Sequence, residues 1–557
     1  MRAAIQGQFD EVVKACSDGW TLLKHNGPGQ IQFWFIALAV GVIAGFAAVG
    51  FRLAVIWLQS MNYGTYDVNL KATVAALPWW WVVLVPTVGG LVVGLILHRF
   101  TPDGRVRSVA EVIEGAALYD GRVEVRAGLA SAVSSAITLS SGGSSGREGP
   151  VVHLAGVIST LVSKRIGADG ITGRDLLGCA VASAVSASFN VPIAGALFAL
   201  EVILRHFAVH AFAPIVIAAV AGTVISRLTF GDEIQFDVSV MNALEFYQEL
   251  PAFLLLGLVS GIAAAILMRS VFVADSFATR IQRRTGMPRW LRPAIAGTLL
   301  GILATKYPHI IGVGYETTRD ALTGGFGFSE VIVLVTVKTI AVAITMGGRM
   351  GGGIFSPSLV VGALTGLAFG IVATSIFPDV SGSYTLYALA GMGAVSAAVL
   401  GAPISTTLIV FELTGDWQTG LAVMVAVSLS TALASRLVDR SFFLTQLERR
   451  GVHLAAGPQA YLLGTFRVGK VMRAKEHPEA ADEAECEKLV AQGVFVEGHT
   501  TLEAVMPIFE NTGAAYVPVV RLVNPGDPPE LMGAIFHIDA LKAYNRALAA
   551  TAAEEHS

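Results

Sequence analysis

The stretch Ser140-Ser141-Gly142-Gly143-Ser144-Ser145-Gly146-Arg147-Glu148-Gly149-Pro150 lies between two strongly apolar runs. Glycine and serine at this density do not build a helix interior, because glycine loses the most backbone entropy and serine competes for backbone hydrogen bonds. The stretch reads as a loop, and Gly146, Gly149 and Pro150 set up a new helix whose first turn exposes unpaired N–H groups. At membrane depth, irregular backbone persists only where it is buried in protein or lines a watery cavity, so the loop belongs beside a solute path. A helix N-terminus there favours an anion, through its free amides and the positive end of its dipole. Glu148 stands in that same first turn, a carboxylate fixed to the chain where a diffusing anion would also bind, which is what a gate requires. The plainer alternative is a glutamate that only caps its own helix.

Composition agrees with a membrane setting. Of 557 residues, 54% are hydrophobic and only 14% charged, and the mean hydropathy is +0.64. The chain is too apolar for a soluble protein of this size and reads as polytopic in a lipid bilayer. Its 60 glycines and 21 prolines exceed the needs of simple spanning helices and suggest broken, tilted or re-entrant ones. Cys16, Cys179 and Cys486 are scattered singly, matching neither a metal site nor a disulfide framework. Residues 1–30 hold Asp10, Glu11, Lys14, Asp18 and Lys24 and no compact apolar core, so they read as a polar N-terminal segment, not a cleavable signal. With a net charge of −3 and no basic stripe, no nucleic-acid partner is indicated. No nucleophile–base pair, metal cluster or nucleotide loop marks an enzyme, and no cofactor is called for.

In order, the apolar segments are Phe33–Leu58, Pro78–Arg99, a short amphipathic helix over Val109–Leu118, Arg126–Leu139, and Val151–Val162 ending at Lys164-Arg165. Leu176–Ser188, Pro192–Leu204 and Ala211–Leu228 complete a first set. A second set starts at Pro251–Phe272, passes the basic stretch Arg280, Arg283, Arg284, Arg289 and Arg292, and ends at Leu421–Leu437. The basic stretch reads as cytoplasmic by the positive-inside rule. The sets look like copies. Pro192 is followed nine residues later by Glu201, and Pro403 nine residues later by Glu412. Upstream, Ala184-Val185-Ser186-Ala187 echoes Ala394-Val395-Ser396-Ala397, and the loops ending at Pro150 and Pro357 precede them at comparable distances. Duplicated halves with interrupted helices are typical of transporters that bind a solute near the bilayer midplane. Past Phe466 the chain turns polar, with Thr501–Met506 reading as a helix and Ala515–Val520 and Gly533–Phe536 as strands.

Gly146-Arg147-Glu148-Gly149-Pro150 and, later, Gly353-Ile354-Phe355-Ser356-Pro357 resemble the motif pair of the CLC chloride channels and chloride/proton antiporters. The resemblance spans roughly residues 33–451. It implies an all-α polytopic membrane protein, a CLC-type inverted repeat with tilted and broken helices, followed by a small α/β CBS-like cytosolic domain. The implied division is an N-terminal cytosolic segment over 1–30, an anion-transport domain over 31–451 in halves of about 31–230 and 248–451, a linker over 452–499 and a single CBS-like domain over 500–557. A homodimer with one pore per subunit is implied, in the plasma membrane, the inner membrane of a bacterium, with both termini cytoplasmic.

The resemblance makes Glu148 the gate and places an anion against Gly146, Arg147, Gly149 and the amides of Gly353, Ile354 and Phe355. Three positions depart from the family pattern. The family's anion-coordinating serine falls on Arg107, with Ser108 one residue along; a guanidinium at Arg107 can tighten the site, pair with Glu148 or snorkel to the inner vestibule, and a role in the pore is the expectation. The inner tyrosine falls on Phe443, which keeps the ring and loses the hydroxyl. The second acid that antiporters often carry after the position of Glu201 is Val202. In the CBS-like domain Asp539 matches a ribose-binding aspartate, but Phe536 stands where a hydroxyl residue is expected, so a nucleotide partner lacks part of its recognition. The expected function is passive conduction of chloride or a similar small anion gated by Glu148. The alternatives are a chloride/proton antiporter of the same fold and a non-conducting anion-binding membrane sensor.

Overall fold

The structure is a computed structural model that describes residues 29–555 apart from 66–68, 169, 208, 232–245, 379–380, 382, 415–416, 453, 455–462, 464–465, 499 and 522–528. The N-terminal segment expected over 1–30 and Cys16 lie outside the described residues, except at the very end of that segment. The first half comprises α1 (Gln30–Tyr63), α2 (Leu70–Ala76), α3 (Trp79–Phe100), α4 (Val109–Leu118), α5 (Val125–Ser140), α6 (Glu148–Ile166), α7 (Gly170–Phe189), α8 (Pro192–Phe198) and α9 (Val209–Phe230). The second comprises α10 (Phe246–Thr285), α11 (Leu291–Lys306), α12 (Tyr315–Leu322), α13 (Phe328–Gly347), α14 (Phe355–Ile376), α15 (Tyr384–Leu400), α16 (Pro403–Thr414), α17 (Trp417–Leu437) and α18 (Phe442–Glu448).

Among the described residues seven helices are long and apolar enough to cross a membrane, while Pro192–Leu204, Tyr384–Leu400 and Pro403–Thr414 are apolar but shorter. The long segments fall where hydrophobicity places them. The largest difference is α10, whose 40 residues span about 60 Å at 1.5 Å per residue, twice a hydrocarbon core. It overruns the expected Pro251–Phe272 because no breaker intervenes before Gly286, which takes a φ of 66°. Arg280, Arg283 and Arg284 therefore ride on a helix end that projects past the apolar layer.

Many of the glycines serve close helix packing, not breaks. A Cβ on Gly94 would lie 1.9 Å from the Trp290 carbonyl oxygen, and one on Gly297 1.9 Å from that of Pro86, so α3 and α11 touch backbone to backbone. Gly366 on α14 meets the Tyr387 carbonyl of α15 in the same way, at 2.1 Å. In an apolar medium such contacts hold helices together by dispersion, since burial from water supplies no drive between them.

The repeated Pro-to-Glu spacing has a structural meaning. Glu412 accepts the N–H groups of Ile193 (3.0 Å) and Ala194 (2.7 Å) at the start of α8. Glu201 accepts those of Ile404 (3.0 Å) and Ser405 (2.7 Å) at the start of α16, together with the Ser405 hydroxyl at 2.7 Å. Each half thus caps a helix of the other. Glu201 sits in a π-helical turn, Ala199–Leu204, that continues α8 and re-aims its carboxylate.

The C-terminal unit holds α19 (Val468–Val471), β1 (Arg473–Ala474), α20 (Glu483–Ala491), β2 (Val496–Glu497), α21 (Leu502–Thr512), β3 (Tyr516–Arg521), β4 (Glu530–Phe536) and α22 (His537–Glu555). The sheet order is β1-β4-β3-β2, with β2 parallel to β3 and the other pairs antiparallel. The stretch 452–499, read as linker, supplies α19, β1, α20 and β2. These strands are two residues each, too short for an alternating pattern to mark them. Leu502, Val505, Phe509, Val517 and Ile535 form the core of this unit. Arg467 pairs with Asp120 at 2.8 Å and Arg205 with Glu503 at 3.6 Å, docking it on the helical body.

Replacing Glu201 with Ala orphans two backbone donors at the start of α16, and each buried unsatisfied group costs about 1–3 kcal/mol. Glu201→Ala is expected to lower the melting temperature of the purified protein, and Glu412→Ala to do so by a similar amount. A melting temperature unaltered by either change would mean that the exchanged caps carry no stability.

Candidate functional site

Two loops, one from each half, meet at the centre. Gly146 N–H donates to the Gly353 carbonyl at 2.7 Å and Gly353 N–H to the Gly146 carbonyl at 2.8 Å, an isolated antiparallel bridge. Their other backbone groups are met by neutral hydroxyls: Thr138 Oγ1 accepts from Gly351 N–H (2.8 Å), Ser135 Oγ from Gly352 N–H (3.1 Å) and Thr345 Oγ1 from Ser144 N–H (3.1 Å). Gly352, with a φ of 116°, cannot be replaced: a Cβ there would lie 2.1 Å from Ser145 Oγ. The bridge points the N-termini of α6 and α14 at one another. It also uses the amides of Gly146 and Gly353, which the sequence reading offers to an anion. Beyond the bridge, the Glu148 carboxylate itself accepts from the backbone N–H groups of Glu148 and Ser356.

Glu148 opens α6, only 3% exposed, and its carboxylate reaches across to α14. Oε2 accepts the Ser356 hydroxyl at 2.6 Å. Gly146 leaves room for this, since a Cβ on it would stand 2.6 Å from Glu148 Oε2 and 3.0 Å from the Ser356 nitrogen. The carboxylate therefore occupies the positive end of the second helix, the place a diffusing anion would take. Sequence reasoning passed over Ser356, although a hydroxyl one residue into the helix after Gly353-Ile354-Phe355 was its visible signal. Arg147 lies beside Glu148, Nε 3.8 Å from its Oε1, with Nη2 donating to the Ser188 carbonyl at 3.0 Å and the guanidinium 5.0 Å from the centre of the Tyr315 ring. Buried and held on several sides, it partly offsets the cost of an interior carboxylate.

A void of about 10 Å³, room for one water-sized particle, lies between Glu148, Gly149, Ile354, Phe355 and Phe443. Val185, Phe198 and Leu400 complete its apolar wall. The Phe355 ring packs edge-on against Phe189 at 4.9 Å, so this residue offers the void its backbone. Below opens a larger cleft of about 610 Å³. Gly353, Ile354 and Phe443 line both cavities, which puts the Phe443 ring at the constriction between them.

Ser108 lines the cleft and caps α4, and a Cβ on Gly149 would stand 2.3 Å from its hydroxyl oxygen. Its own N–H donates to Glu111 Oε2 at 2.7 Å. Arg107 corrects the sequence reading. Its guanidinium turns away from the cleft, donating to Asp103 Oδ2 at 3.0 Å and Glu124 Oε2 at 3.2 Å, while its N–H donates to Ser131 Oγ at 2.8 Å. Burial alone would push the Asp103 carboxyl up, but the charge and hydrogen bonds of Arg107 hold it below the usual carboxylate range. A charge with two carboxylate partners in reach does not enter an apolar pore, and successive residues of extended chain point to opposite sides, which brings Ser108 inward. Val202 is buried, 5% exposed, and lines neither cavity. In the C-terminal unit Asp539 is engaged by Arg473 Nε at 2.7 Å, and Arg473 also lies over the Phe536 ring at 4.2 Å. Among the described residues no group of three or more His, Cys, Asp or Glu side chains is placed to hold a metal.

The centre thus joins two facing helix N-termini, a particle-sized void and a buried carboxylate within a polytopic helical body. The model of the voltage gated chloride channel family matches residues 89–435, and the chain belongs to that family, whose members are anion channels and transporters and not enzymes. A putative chloride channel protein, ClcB-like, from Ralstonia nicotianae is 32% identical over 398 residues, covering 70% of this chain and 91% of the relative. The voltage-gated ClC-type chloride channel ClcB of Escherichia coli is 27% identical over 416 residues, 73% of this chain and 97% of the relative. Among solved structures, a slow cyanobacterial Cl⁻/H⁺ antiporter superposes with a TM-score of 0.67 at 22% identity, covering 76% of this chain and 98% of that one. A CLC-type fluoride/proton antiporter gives 0.60 at 18% identity, over 74% and 96%. The chain is thus a multi-pass membrane protein of the CLC fold with a small C-terminal mixed sheet.

With its partners outside the cleft, Arg107→Ser is expected to leave anion affinity and selectivity unchanged and to lower stability modestly. Ser108→Ala is expected to weaken anion binding. Competition among chloride, nitrate and thiocyanate in isotope uptake separates the two, and an altered selectivity in Arg107→Ser would return the guanidinium to the pathway.

Proposed function

We propose that the protein conducts chloride or a similar small anion passively, gated by Glu148. The observation that carries this reading is the Glu148 carboxylate bonded to Ser356 at the N-terminus of α14. In that position it competes with a permeating anion for the same positive helix end, and its withdrawal opens the site. Ser108, the first-turn amides of α6 and α14 that the carboxylate gives up, and the Phe443 ring then form the anion's passage. Dipoles without a full charge bind weakly enough to release, as fast passage requires. Passive flow is supported by Val202, an apolar side chain where a relay acid would stand, and by Glu201, whose two oxygens are engaged in capping α16. A homodimer is supported by Ile193 and Ile404, large apolar side chains left 57% and 47% exposed, one at each of the exchanged caps. We take the C-terminal unit as a single CBS-like domain, on the cytoplasmic side with both termini, in the plasma membrane of a bacterium.

Chloride and proton fluxes recorded together from liposomes test this. Chloride efflux is expected without uphill proton movement, and proton pumping driven by a chloride gradient would overturn the passive reading. Glu148→Gln and Glu148→Ala are expected to keep conducting and to lose pH dependence, because each removes the competing charge and spares the amides. A pH response that survives in both would place gating elsewhere.

A further inference from the structure

We propose that the cleft below the anion site is a second binding site, for a multivalent phosphate-bearing anion free in solution, and that its occupant plugs the pathway from the side that bears the C-terminal unit. The inference rests on reading the cavity chain as the anion path. The cleft encloses about 610 Å³, the size of a typical small-molecule site. Its wall carries seven arginines but only one carboxylate, Asp275, among the described residues.

That carboxylate is heavily shared. Asp275 accepts Arg292 at 2.7 Å and also lies 3.6 Å from Arg105 and 3.7 Å from Arg349. Arg450 is matched by Glu111, and Arg449 donates to the Phe272 carbonyl at 3.4 Å and to Ser276 Oγ at 3.3 Å, neutral groups both. Arg280, Arg283 and Arg284, on the overrun of α10, make no ion pair among the described residues. The chain's own acids therefore leave several guanidinium charges uncompensated within one cavity. Each repels the others, and an anion that bridges them relieves that repulsion.

Chloride brings one charge and no geometry, so it does not meet this demand. A phosphate-type anion brings several charges on oxygens that match the guanidinium fork two at a time. The floor suits an organic portion as well. Phe272 and Phe442 stack at 5.0 Å with an interplanar angle of 20°, Phe443 meets Phe442 edge-on, and Met346 and Met350 lie beside them. Because Gly353, Ile354 and Phe443 also bound the upper void, an occupant of the cleft stands directly in the route.

The test uses the full chain. Pyrophosphate is titrated calorimetrically against the protein in zwitterionic detergent, and chloride efflux from phosphatidylcholine liposomes is measured with pyrophosphate present on both sides. Pyrophosphate is expected to bind and to slow efflux. The triple variant R280Q/R283Q/R284Q is expected to bind it roughly tenfold more weakly or worse, since three charge-assisted contacts are lost. Efflux by each protein is normalised to its own rate without pyrophosphate, and the variant is expected to lose most of the fractional slowing that wild type shows. No binding by wild type, or equal binding by the variant, would overturn the site. Block that appears only when phosphoinositide is added to the liposomes, and never with pyrophosphate, would also overturn it by making the occupant a lipid headgroup. The two readings fail separately: a chain that binds pyrophosphate but moves no chloride sinks the transport reading, and one that moves chloride but binds no pyrophosphate sinks only this one.

Discussion

The paired hydrogen bonds between Gly146 and Gly353 are the constraint on which the centre of the molecule depends. Two helix N-termini repel through their dipoles, and they are held together here by this backbone bridge and by the Glu148 carboxylate that reaches Ser356. The bridge obliges the remaining loop polar groups to find partners, which Ser135, Thr138 and Thr345 supply as neutral hydroxyls. It forces glycine at close approaches such as Gly352, where any side chain would strike Ser145. It also sets the distance across which Glu148 reaches Ser356. A change that loosens the bridge would blur the helix starts, the Glu148–Ser356 contact and the void together.

Charge is distributed so that the interior of this site and its mouth differ in kind. Around the void the chain uses amides, hydroxyls and one glutamate partly balanced by Arg147. At the mouth it uses full cations. Dipoles pointed at a small void hold an anion without trapping it, whereas guanidiniums several ångströms lower act over a longer range and reach past the Debye length only weakly. Arg107 fits this division, since it stays with Asp103 and Glu124 and out of the dipolar region.

Much of the fold was legible because hydrophobic runs, Gly-Pro boundaries and a repeated Pro-to-Glu interval are local signals. Helices from Trp79 to Leu437 appear close to where those signals place them. What the signals could not carry was non-local. Glu201 and Glu412 are visible as a repeat, yet nothing in the spacing says that each caps a helix in the other half. The orientation of Arg107 depended on Asp103 and Glu124, residues that attract no attention until the chain folds. The short helices α2, α12 and α18 and the two-residue strands β1 and β2 fall below the length at which periodicity is readable. The bonds between Gly146 and Gly353, which use two amides offered to the anion by motif alone, belong to the same class of long-range fact.

The exchanged caps bear on how the chain is made. The amides of Ile193 and Ala194 wait for a carboxylate that lies 219 and 218 residues further along. At ordinary elongation speeds that is about 10–40 s of synthesis. Through that interval the nascent first half carries two donors without the acceptor that the finished fold gives them. Its short helix cannot settle until Glu412 emerges, so the two halves mature as one unit, and a ribosome that stalls between them leaves behind a fragment that membrane quality control can tell from the finished protein.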